Sequence, residues 1–415
     1  MDQERDIVDV AVIGAGTVGL SAALALLDQG LSVVIVDPRS AESLQHSEYD
    51  GRDVALSNGI LDWLGSLKVL EQLSADERSP IRGARVSDLE VSRSLSFEPA
   101  PGADRVGEFI PEHRLRDELF ALVAQRASFH SLLGRRLSAV APQSDYVQLT
   151  LDDGQVVKAR LLVAADGRGS KTRALVNIGH RTDDQGFDML CCRVKHSVPH
   201  DGWTLQQFDN QGSIAMLPLQ GQQTSLALML KPADADRVMM MEEGTLRAYL
   251  DTRLQGRLGD ISLTSSRYRV PLSGSYADRF YAERTILLGD AAVGMLPITA
   301  HGLNLGLIGA RSLAAEIAEA RHSTCDVGSK RIVEAVARRA QLTARPLYLA
   351  TQEIARLFTQ RDAVSRKLRY LAMTAGQPFK HFVGLNCEQR DARTVPWIGA
   401  LKGALPLWKK RPHSA

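Results

Sequence analysis

The stretch Val8–Asp37, VDVAVIGAGTVGLSAALALLDQGLSVVIVD, decides the fold of the first part of the chain. Its apolar start predicts a buried parallel strand, which ends in a GxGxxG motif that opens an alanine- and leucine-rich helix. In this unit Gly14 permits a tight turn, Gly16 lets backbone N–H groups approach a pyrophosphate, and Gly19 lets the helix lie close to the strand. A second apolar run ends at Asp37, whose carboxylate can accept hydrogen bonds from a ribose 2′-hydroxyl. The order favours an adenine dinucleotide without a 2′-phosphate, with its pyrophosphate at the amino end of the helix.

Length and composition narrow the remaining possibilities. A chain of 415 residues exceeds one ordinary domain, so we expect two or three domains or subdomains. The net charge of +2 gives no reason to propose a nucleic-acid partner. Cys191, Cys192, Cys325 and Cys387 show neither CxxC nor metal-ligand spacing, so we expect inert thiols, a reducing compartment and no metal site. The polar start has no signal-peptide core, and no window is apolar enough to span a membrane, which predicts a cytoplasmic protein or one on a membrane surface.

Two later strand ends carry chemistry of the same kind. One apolar run ends in Asp166-Gly167, and another ends in Gly289-Asp290 and continues through Pro297 towards a helix near Gly302. An Asp-Gly pair alone is more often an ordinary turn. Three strand ends tipped with glycine or aspartate predict one ligand cleft, because ligands of α/β folds bind at the carboxyl ends of the strands.

The segments between these motifs have simpler periodicities. A helix is predicted over 51–73, and a second from Pro111 to Ala127. Alternating residues over 81–110 predict strands of a half-exposed sheet, and the runs over 185–281 predict antiparallel strands. From Ser329 the pattern is helical, with Pro346 marking a kink or a break. The apolar face of the first helix comprises Leu56, Ile60, Leu61, Leu64, Leu67 and Leu70.

The three motifs together resemble a known family. GxGxxG, Asp-Gly, and Gly-Asp followed by a proline and Gly-x-Asn are similar to the single-component flavin monooxygenases of the para-hydroxybenzoate hydroxylase type. Within them, ADGRGSKTR (165–173) and GDAAVGMLPITAHGLNLGL (289–307) resemble the ubiquinone-biosynthesis hydroxylases, and AVGM and TAHG are most similar to the branch that acts on demethoxyubiquinol-type intermediates. The resemblance covers roughly residues 5 to 370 and is not specific for a substrate.

The resemblance implies an α/β fold with three parts. A Rossmann-like FAD-binding domain with a mixed parallel sheet would comprise residues 1–80, 110–180 and 283–328. An inserted antiparallel β-sheet domain, 81–109 and 181–282, would bind the substrate, and 329–415 would form a C-terminal helical region. Within the inserted sheet, Met216, Leu228 and Met229 either face the substrate or belong to the ordinary core.

The resemblance also assigns cofactor contacts by position. The implied FAD contacts are Gly14, Ala15, Gly16 and Gly19 at the pyrophosphate, Asp37 at the adenosine ribose, Arg52 and Arg114 at the pyrophosphate or ribityl region, Leu137 at adenine, Asp166 at FAD and NAD(P)H, Asp290 at the ribityl chain, and Gly302, Leu303 and Asn304 at flavin N1 and the C2 carbonyl. For each arginine the alternative is a solvated surface charge. Since the chain has one dinucleotide fingerprint, NAD(P)H would dock transiently on the surface.

Two positions depart from the usual family pattern. Val293 stands where histidine is common, and Ala300-His301-Gly302 replaces Gly-Gln-Gly. His301 could hydrogen-bond a phenol or act as its base, because its unperturbed pKa suits proton transfer near neutrality. The alternative is a histidine whose hydrogen bonds are satisfied by the neighbouring backbone. Pro297 would lie on the reactive side of the flavin and exclude water.

The implied activity is FAD-dependent aromatic hydroxylation. NAD(P)H would reduce the flavin, O₂ would form a C4a-hydroperoxide, and one oxygen atom would pass to a polyprenyl phenol or quinol in ubiquinone biosynthesis. Two alternatives stay open: a flavin-dependent isoprenoid reductase of the same fold, and an FAD-retaining, non-catalytic component of a quinone-synthesis complex.

The C-terminal tail, 395–415, places apolar and aromatic residues beside cations. Such a segment either lies in a bilayer interface, which would make the protein peripheral on the inner membrane face, or docks on the protein core or another subunit.

Overall fold

The computed structural model describes residues 7–321, 326–360 and 362–375. The strands are β1 (Val8–Ile13), β2 (Val33–Asp37), β3 (Asp53–Ser57), β4 (Ser79–Ile81), β5 (Gly83–Asp88), β6 (Arg93–Phe97), β7 (Gly107–Pro111), β8 (Phe129–Leu133), β9 (Leu137–Pro142), β10 (Val147–Leu151), β11 (Val156–Ala164), β12 (His180–His196), β13 (Trp203–Asp209), β14 (Gly212–Leu219), β15 (Gln223–Leu230), β16 (Ile261–Leu263), β17 (Tyr268–Ala277), β18 (Tyr281–Ala282), β19 (Thr285–Leu287) and β20 (Val293–Gly294). The helices are α1 (Thr17–Leu27), α2 (Ala41–Gln45), α3 (Asn58–Ser66), α4 (Glu112–Ala124), α5 (Lys171–Leu175), α6 (Pro232–Met240), α7 (Glu243–Leu254), α8 (Gly302–Arg321), α9 (Lys330–Thr359) and α10 (Ala363–Ala375).

A mixed sheet contains the dinucleotide fingerprint. Its strand order is β18-β19-β11-β1-β2-β8, and the five strands from β19 to β8 run parallel. The central strands β1 and β2 are nearly continuous apolar runs because both of their faces are covered. On one face α1 and α8 pack into the largest core cluster, and on the other lies an apolar cluster that includes β9 and β10.

A second sheet has the order β20-β17-β12-β15-β14-β13-β5-β6, with β16 beside β12. Its neighbours are antiparallel except for the parallel pair β13 and β5. One face packs on α6 and α7, and the other faces Leu296 and α9. A small antiparallel sheet, β3-β7-β4, completes the β structure of the described residues.

The predicted fold class is confirmed: a parallel-strand sheet, antiparallel sheets and C-terminal helices are present. The strands predicted between 185 and 281 are also confirmed, although α6 and α7 lie among them. The segments 81–109 and 181–282 share the second sheet through the pairing of β5 with β13, which supports their predicted grouping. The domain boundaries stay a prediction.

One local prediction is wrong, and another is narrowed to one of its two alternatives. The helix predicted over 51–73 begins only at Asn58, because residues 53–57 form a strand that pairs with β7. Leu56, predicted on the helix, lies in this strand. Of the kink or break predicted at Pro346, the break is absent, since α9 continues through this residue, and the kink stays a prediction. Val336, Ala344 and Tyr348 of α9 pack into the main core, and this burial outweighs the cost of an internal proline.

Other predictions concern cysteines and membrane spans. Burial raises the pKa of Cys191 and Cys192 to about 12, as expected for inert thiols. None of the helices within the described ranges is both long and apolar enough to traverse a bilayer. Cys325, Cys387 and the tail 395–415 lie outside the described residues.

Candidate active site

The three predicted strand ends lie side by side. β1, β11 and β19 are neighbours in the mixed sheet and run in the same direction. Just beyond the strands, the Ala165 N–H donates to the Ile13 carbonyl at 2.8 Å, and the Leu288 N–H donates to the Ala164 carbonyl at 2.9 Å. The GxGxxG, Asp-Gly and Gly-Asp motifs therefore meet at one edge of the sheet, as the sequence predicts.

The glycines of the first motif have different structural roles. A Cβ at Gly14, whose φ is +105°, would lie 2.4 Å from the Ala165 carbonyl oxygen, and one at Gly19 would lie 2.1 Å from the Gly14 carbonyl oxygen. These two glycines are required by packing. A Cβ at Gly16 would meet nothing within 4 Å, so the backbone at the start of α1 borders open space. This open cradle at a helix amino end fits a pyrophosphate group.

Asp37 is held at the end of β2 by neighbouring backbone and side chain. Its carboxylate accepts from the Ala15 N–H at 2.6 Å and from the N–H and Nε of Arg39, each at 2.9 Å. Burial works against the ionised form, but these hydrogen bonds outweigh it and hold the pKa of Asp37 below its ordinary value. Asp37 is thus an anion beside the GxGxxG turn, and its contact with a ribose stays a prediction.

The Asp166 carboxylate organises its own loop. It accepts from the Ser170 and Thr172 hydroxyls at 2.5 and 2.8 Å and from the Thr172 N–H at 3.0 Å. Ser170 in turn accepts from the Arg173 N–H at 2.9 Å and caps α5. These bonds fix the Asp-Gly turn against the edge of the sheet, where Asp166 lies beside Gly14. The contacts of Asp166 with FAD and NAD(P)H stay a prediction.

Two arginines of the Asp-Gly motif connect the site, and neither had a role predicted from the sequence. Buried Arg173 donates to the Ala291 carbonyl at 2.9 Å and to the Arg168 carbonyl at 3.0 Å, which joins the Asp-Gly and Gly-Asp loops. Arg168 donates to the Asp290 carboxylate at 3.3 Å and to the Ser273 hydroxyl of β17 at 3.3 Å. It thereby links the mixed sheet to the second sheet.

Asp290 follows β19 in the Gly-Asp loop. Its side chain is 40% exposed, yet desolvation raises its pKa, and the nearby Arg168 and Arg52 reverse only part of that shift. A carboxylate that is open to solvent but surrounded by protein on most sides has these properties. A Cβ at Gly306 of α8 would lie 3.1 Å from the Gly289 Cα, so this helix crosses close to the Gly-Asp loop.

Arg52 and Arg114 have different surroundings. Arg52 donates to Glu112 at 2.9 Å, and Thr17 at the start of α1 donates to the same carboxylate, which places Arg52 near the pyrophosphate cradle. Arg114 instead pairs with Glu77 and, at 2.7 Å, with Glu118 on its own helix. None of the partners of Arg114, which also include Asp117 at 3.4 Å, belongs to the three strand ends. The assignment of both arginines to FAD stays a prediction. Buried Glu112 was missed, because one acidic residue at a helix start gives no sequence signal.

Leu137 lies buried at the start of β9, opposite Leu151 of β10. β9 does not pair directly with β1, β11 or β19 in this sheet. Leu137 lies in one apolar cluster with Ile13, the last residue of β1, and its contact with adenine stays a prediction.

The amino end of α8 is attached to β3. The Asn304 amide donates to the Ala55 carbonyl at 2.7 Å and accepts from the Ser57 N–H at 2.9 Å. Because the first N–H groups of a helix have no partner within it, those at Gly302 and Leu303 can serve a ligand while the Asn304 side chain holds the helix in place.

Pro297 and His301 flank this helix start. Pro297 is exposed and opens a short 3₁₀ turn, and the His301 carbonyl accepts the first bond of α8 from the Leu305 N–H at 3.0 Å. The structure thus places His301 at the start of α8. Its catalytic role and that of Pro297 stay predictions.

Alternation along the strands of the second sheet divides Met216, Leu228 and Met229 between its two faces. Met229 lies in the apolar cluster with Leu296, Leu272 and other side chains on the Pro297 side of the sheet. Met216 and Leu228 lie in the cluster on the opposite face, against α6 and α7. Of the three, Met229 alone is on the side of the sheet that faces Leu296 and α9.

The fold and the site together define a dinucleotide-binding flavoprotein. An open backbone cradle at a helix start and a partly exposed aspartate beyond another strand of the same sheet fit FAD. Comparison with known proteins agrees, since the family model described as FAD binding domain matches residues 7–342.

Relatives narrow this class. The chain is 35% identical to the ubiquinone hydroxylase UbiM of Neisseria meningitidis serogroup C / serotype 2a, over 89% of this chain and 82% of the relative. It is 31% identical to the ubiquinone hydroxylase UbiL of Rhodospirillum rubrum, over 89% and 86%. The solved structure of p-nitrophenol 4-monooxygenase PnpA from Pseudomonas putida DLL-E4 shares the fold, with a TM-score of 0.73, 18% identity, and coverage of 94% of this chain and 99% of that one. The chain belongs to the ubiquinone hydroxylase family of FAD-dependent monooxygenases.

Proposed function

We propose that this enzyme hydroxylates the ring of a polyprenyl phenol or quinol in ubiquinone biosynthesis, with NAD(P)H as reductant and O₂ as the oxygen source. The observation that carries the proposal is the meeting of the three motif-bearing strand ends beside an apolar cluster of the second sheet. UbiM and UbiL are named ubiquinone hydroxylases, and a further relative from Escherichia coli, 27% identical over 72% of this chain and 76% of that protein, is named 3-demethoxyubiquinol 3-hydroxylase.

Bound FAD would supply the activation of oxygen, and the chain would supply binding and orientation. The backbone at Gly16 would receive the pyrophosphate, with Arg52 nearby, and Asp37 would bind the adenosine ribose. Asp290 would accept hydrogen bonds from the ribityl hydroxyls, oriented by Arg168. The N–H groups at the start of α8 would stabilise negative charge that develops on the ring system during reduction.

The apolar cluster would hold the substrate ring and exclude water. Met189, Phe208 and Met229 of the second sheet lie in one cluster with Leu296, which directly precedes Pro297. A polyprenyl substrate suits such a wall, because its transfer from water is favourable. Exclusion of water from the pocket would favour transfer of the activated oxygen to the ring over its release as hydrogen peroxide. His301 would hydrogen-bond or deprotonate the phenol.

The place of action would be the cytoplasmic side of the membrane that holds the substrate, with the protein as a peripheral component and NAD(P)H docking transiently on its surface. The composition of the tail, 395–415, supports this placement, because it combines tryptophans with lysines.

The test is turnover by the purified chain. It should be yellow, should oxidise NADH or NADPH faster when a short-chain demethoxyubiquinol analogue is added, and should give a product that contains one oxygen atom from labelled O₂. Oxidation that proceeds without O₂ and saturates a double bond would identify an isoprenoid reductase. FAD retention without substrate-stimulated oxidation would identify a non-catalytic component. Either result rejects the proposal.

A further inference from the structure

An arginine of the second sheet is bound to a strand that adjoins the predicted FAD contacts. Arg193 of β12 forms a bidentate ion pair with Asp53 at the start of β3: its Nε donates to one carboxylate oxygen at 3.1 Å, and its Nη2 contacts the other. The Asp53 side chain is fully buried. A planar guanidinium makes two parallel hydrogen bonds to a carboxylate only over a narrow range of orientations, so this pair fixes β12 relative to β3.

Aromatic side chains enclose the pair. The guanidinium carbon of Arg193 lies 3.8 Å from the centre of the Tyr49 ring, and the Tyr49 hydroxyl donates to Asp53 at 2.8 Å. Burial and the nearby Asp53 carboxylate raise the pKa of Tyr49, so this hydroxyl stays a donor at neutral pH. Tyr49 also contacts Tyr268 of β17 edge to face, with the ring centres 5.4 Å apart. The arginine is therefore held from several sides.

β3 connects this pair with the predicted FAD contacts. Arg52, which lies near the pyrophosphate cradle, directly precedes Asp53 in the chain. Further along the strand, the Asn304 amide at the start of α8 is bound to the backbone of Ala55 and Ser57. These hydrogen bonds join β3 and the start of α8 into one unit on the FAD side of the site.

β12 connects the same pair with the apolar cluster of the second sheet. Met189 and Cys191 precede Arg193 at two-residue spacing, so the three side chains lie on one face of the strand. Met189 and Cys191 belong to the cluster with Leu296, the proposed wall of the substrate pocket. Arg193 thus ties this wall to the strand that adjoins the FAD contacts.

A second arginine contact lies further along the same sheet. Arg168 donates to the Ser273 hydroxyl of β17 at 3.3 Å. Five positions earlier on that strand, Tyr268 contacts Tyr49 beside Arg193. Five residues of a strand span about 17 Å, so a rotation of about 3° about the Arg168 contact would move the far end by about 1 Å. A misplacement of about 1 Å can lower the rate of a reaction by about a hundredfold.

We propose that Arg193 is a positioning residue, which through its pair with Asp53 holds the substrate wall at a fixed distance and angle from the bound flavin. The inference rests on the proposed hydroxylation, because it concerns the placement of the ring that would be hydroxylated. Arg193 acts here through Asp53 and β3, without contact to the reacting atoms. Its loss should leave the binding of FAD and of substrate nearly intact and impair the transfer of oxygen between them.

The test compares the wild-type holoenzyme with Arg193→Lys, which retains the charge but cannot form the two parallel hydrogen bonds. With a short-chain demethoxyubiquinol analogue, kcat for hydroxylation should fall by about tenfold or more, and a larger share of NAD(P)H oxidation should end in hydrogen peroxide. The KM for the analogue and the Kd for FAD should each change by less than about threefold. The double variant Arg193→Met/Asp53→Leu leaves no buried charge unpaired, so it tests the same effect if Arg193→Lys folds poorly.

The matched control is Arg253→Lys. Arg253 of α7 pairs with Asp209 of β13 at 2.7 Å and lies 5.8 Å from the centre of the Tyr249 ring. This is a buried group of the same three residue types, but all of its members belong to the second sheet and its helices. Arg253→Lys should lower the midpoint of urea unfolding by an amount similar to Arg193→Lys and leave the ratio of peroxide to product unchanged.

A second measurement needs no turnover. The change in absorption of oxidised FAD on addition of the analogue reports the contact of its ring with the flavin. At saturation the amplitude of this change should be smaller in Arg193→Lys than in the wild type or Arg253→Lys. Equal amplitudes in the three proteins, including no change in any of them, would overturn the positioning role.

An active Arg193→Lys enzyme with the wild-type ratio of peroxide to product would overturn it as well. Absence of hydroxylated product from the wild type would instead reject the hydroxylase function, and the absorption amplitudes would then decide the role of Arg193.

Discussion

Substitution of Gly16 separates cofactor binding from folding. The backbone at Gly16 has φ −77° and ψ 173°, which alanine adopts freely, and an added Cβ meets no atom within 4 Å. Gly16 is the N-cap of α1, where glycine is favoured over alanine by about 1 kcal/mol. Alanine recovers about 0.4–1 kcal/mol by restricting the unfolded chain. The free energy of unfolding of the Gly16→Ala apoprotein should therefore lie within about 0.5 kcal/mol of the wild type.

The same methyl group should weaken FAD binding strongly. It would occupy the open space into which the pyrophosphate must come to reach the backbone N–H groups. Loss of even one charge-assisted hydrogen bond, about 1.5–3 kcal/mol, corresponds to at least a tenfold rise in the Kd for FAD. The matched control is Gly19→Ala, whose Cβ would lie 2.1 Å from the Gly14 carbonyl oxygen and force α1 away from the turn. It should destabilise the apoprotein by more than about 2 kcal/mol.

The assays are urea unfolding of each apoprotein and titration of each with FAD, followed by flavin fluorescence. An unchanged Kd for FAD in Gly16→Ala would refute the assignment of this cradle to the pyrophosphate. A Gly16→Ala apoprotein as unstable as Gly19→Ala would show that Gly16 is needed for packing, contrary to the structure.

Further predictions concern the carboxylates, the histidine and the C-terminal helix. Burial raises the pKa of Asp290 in the folded protein above its value in the unfolded chain. The stability that this carboxyl group contributes is therefore fully present only below the unfolded pKa, and it is lost as the pH rises through the folded pKa. Asp290→Asn should therefore stabilise the apoprotein at neutral pH and lower its affinity for FAD. In urea titrations this stabilisation should disappear on acidification. A variant apoprotein less stable than the wild type at pH 7 would contradict the reasoning. His301→Ala should reduce the yield of hydroxylated product more than the rate of flavin reduction in stopped-flow experiments, and an unchanged yield would exclude a role in hydroxylation. Arg369→Leu leaves the buried Asp88 without its ion pair and should lower the free energy of unfolding by about 3–5 kcal/mol, whereas Arg366→Leu at the exposed position should change it by less than about 0.5 kcal/mol; equal effects in denaturant unfolding would contradict the burial of Arg369.

Local patterns were sufficient for much of the fold. The GxGxxG turn between two apolar runs predicted β1, α1 and β2, because backbone conformation at glycines and burial on both faces of a parallel strand leave a direct trace in the sequence. Alternation predicted the strands of the second sheet for the same reason. Alternation alone left Met216, Leu228 and Met229 as equal candidates, since it does not say which face meets the helices and which the cleft.

The assembly of the site depended on contacts between distant parts of the chain. Arg168 and Asp290 are 122 positions apart, and their hydrogen bond exists only because β11 and β19 are neighbours in the sheet. A charged residue gives no local signal of being buried, so Glu112 and Arg369 looked like ordinary surface charges. Residues 53–57 became a strand through pairing with β7, which overrode the helical spacing of their leucine.

By itself the sequence determined the nucleotide-binding turn, the three motif-bearing strand ends and the class of fold, because each is encoded in residues close together along the chain. Only the tertiary structure decided which side chains surround Asp290, that Asn304 ties α8 to β3, and which way α10 faces. These features arise from burial and pairing between segments far apart in sequence. Interactions between such segments produce no periodic pattern in the sequence.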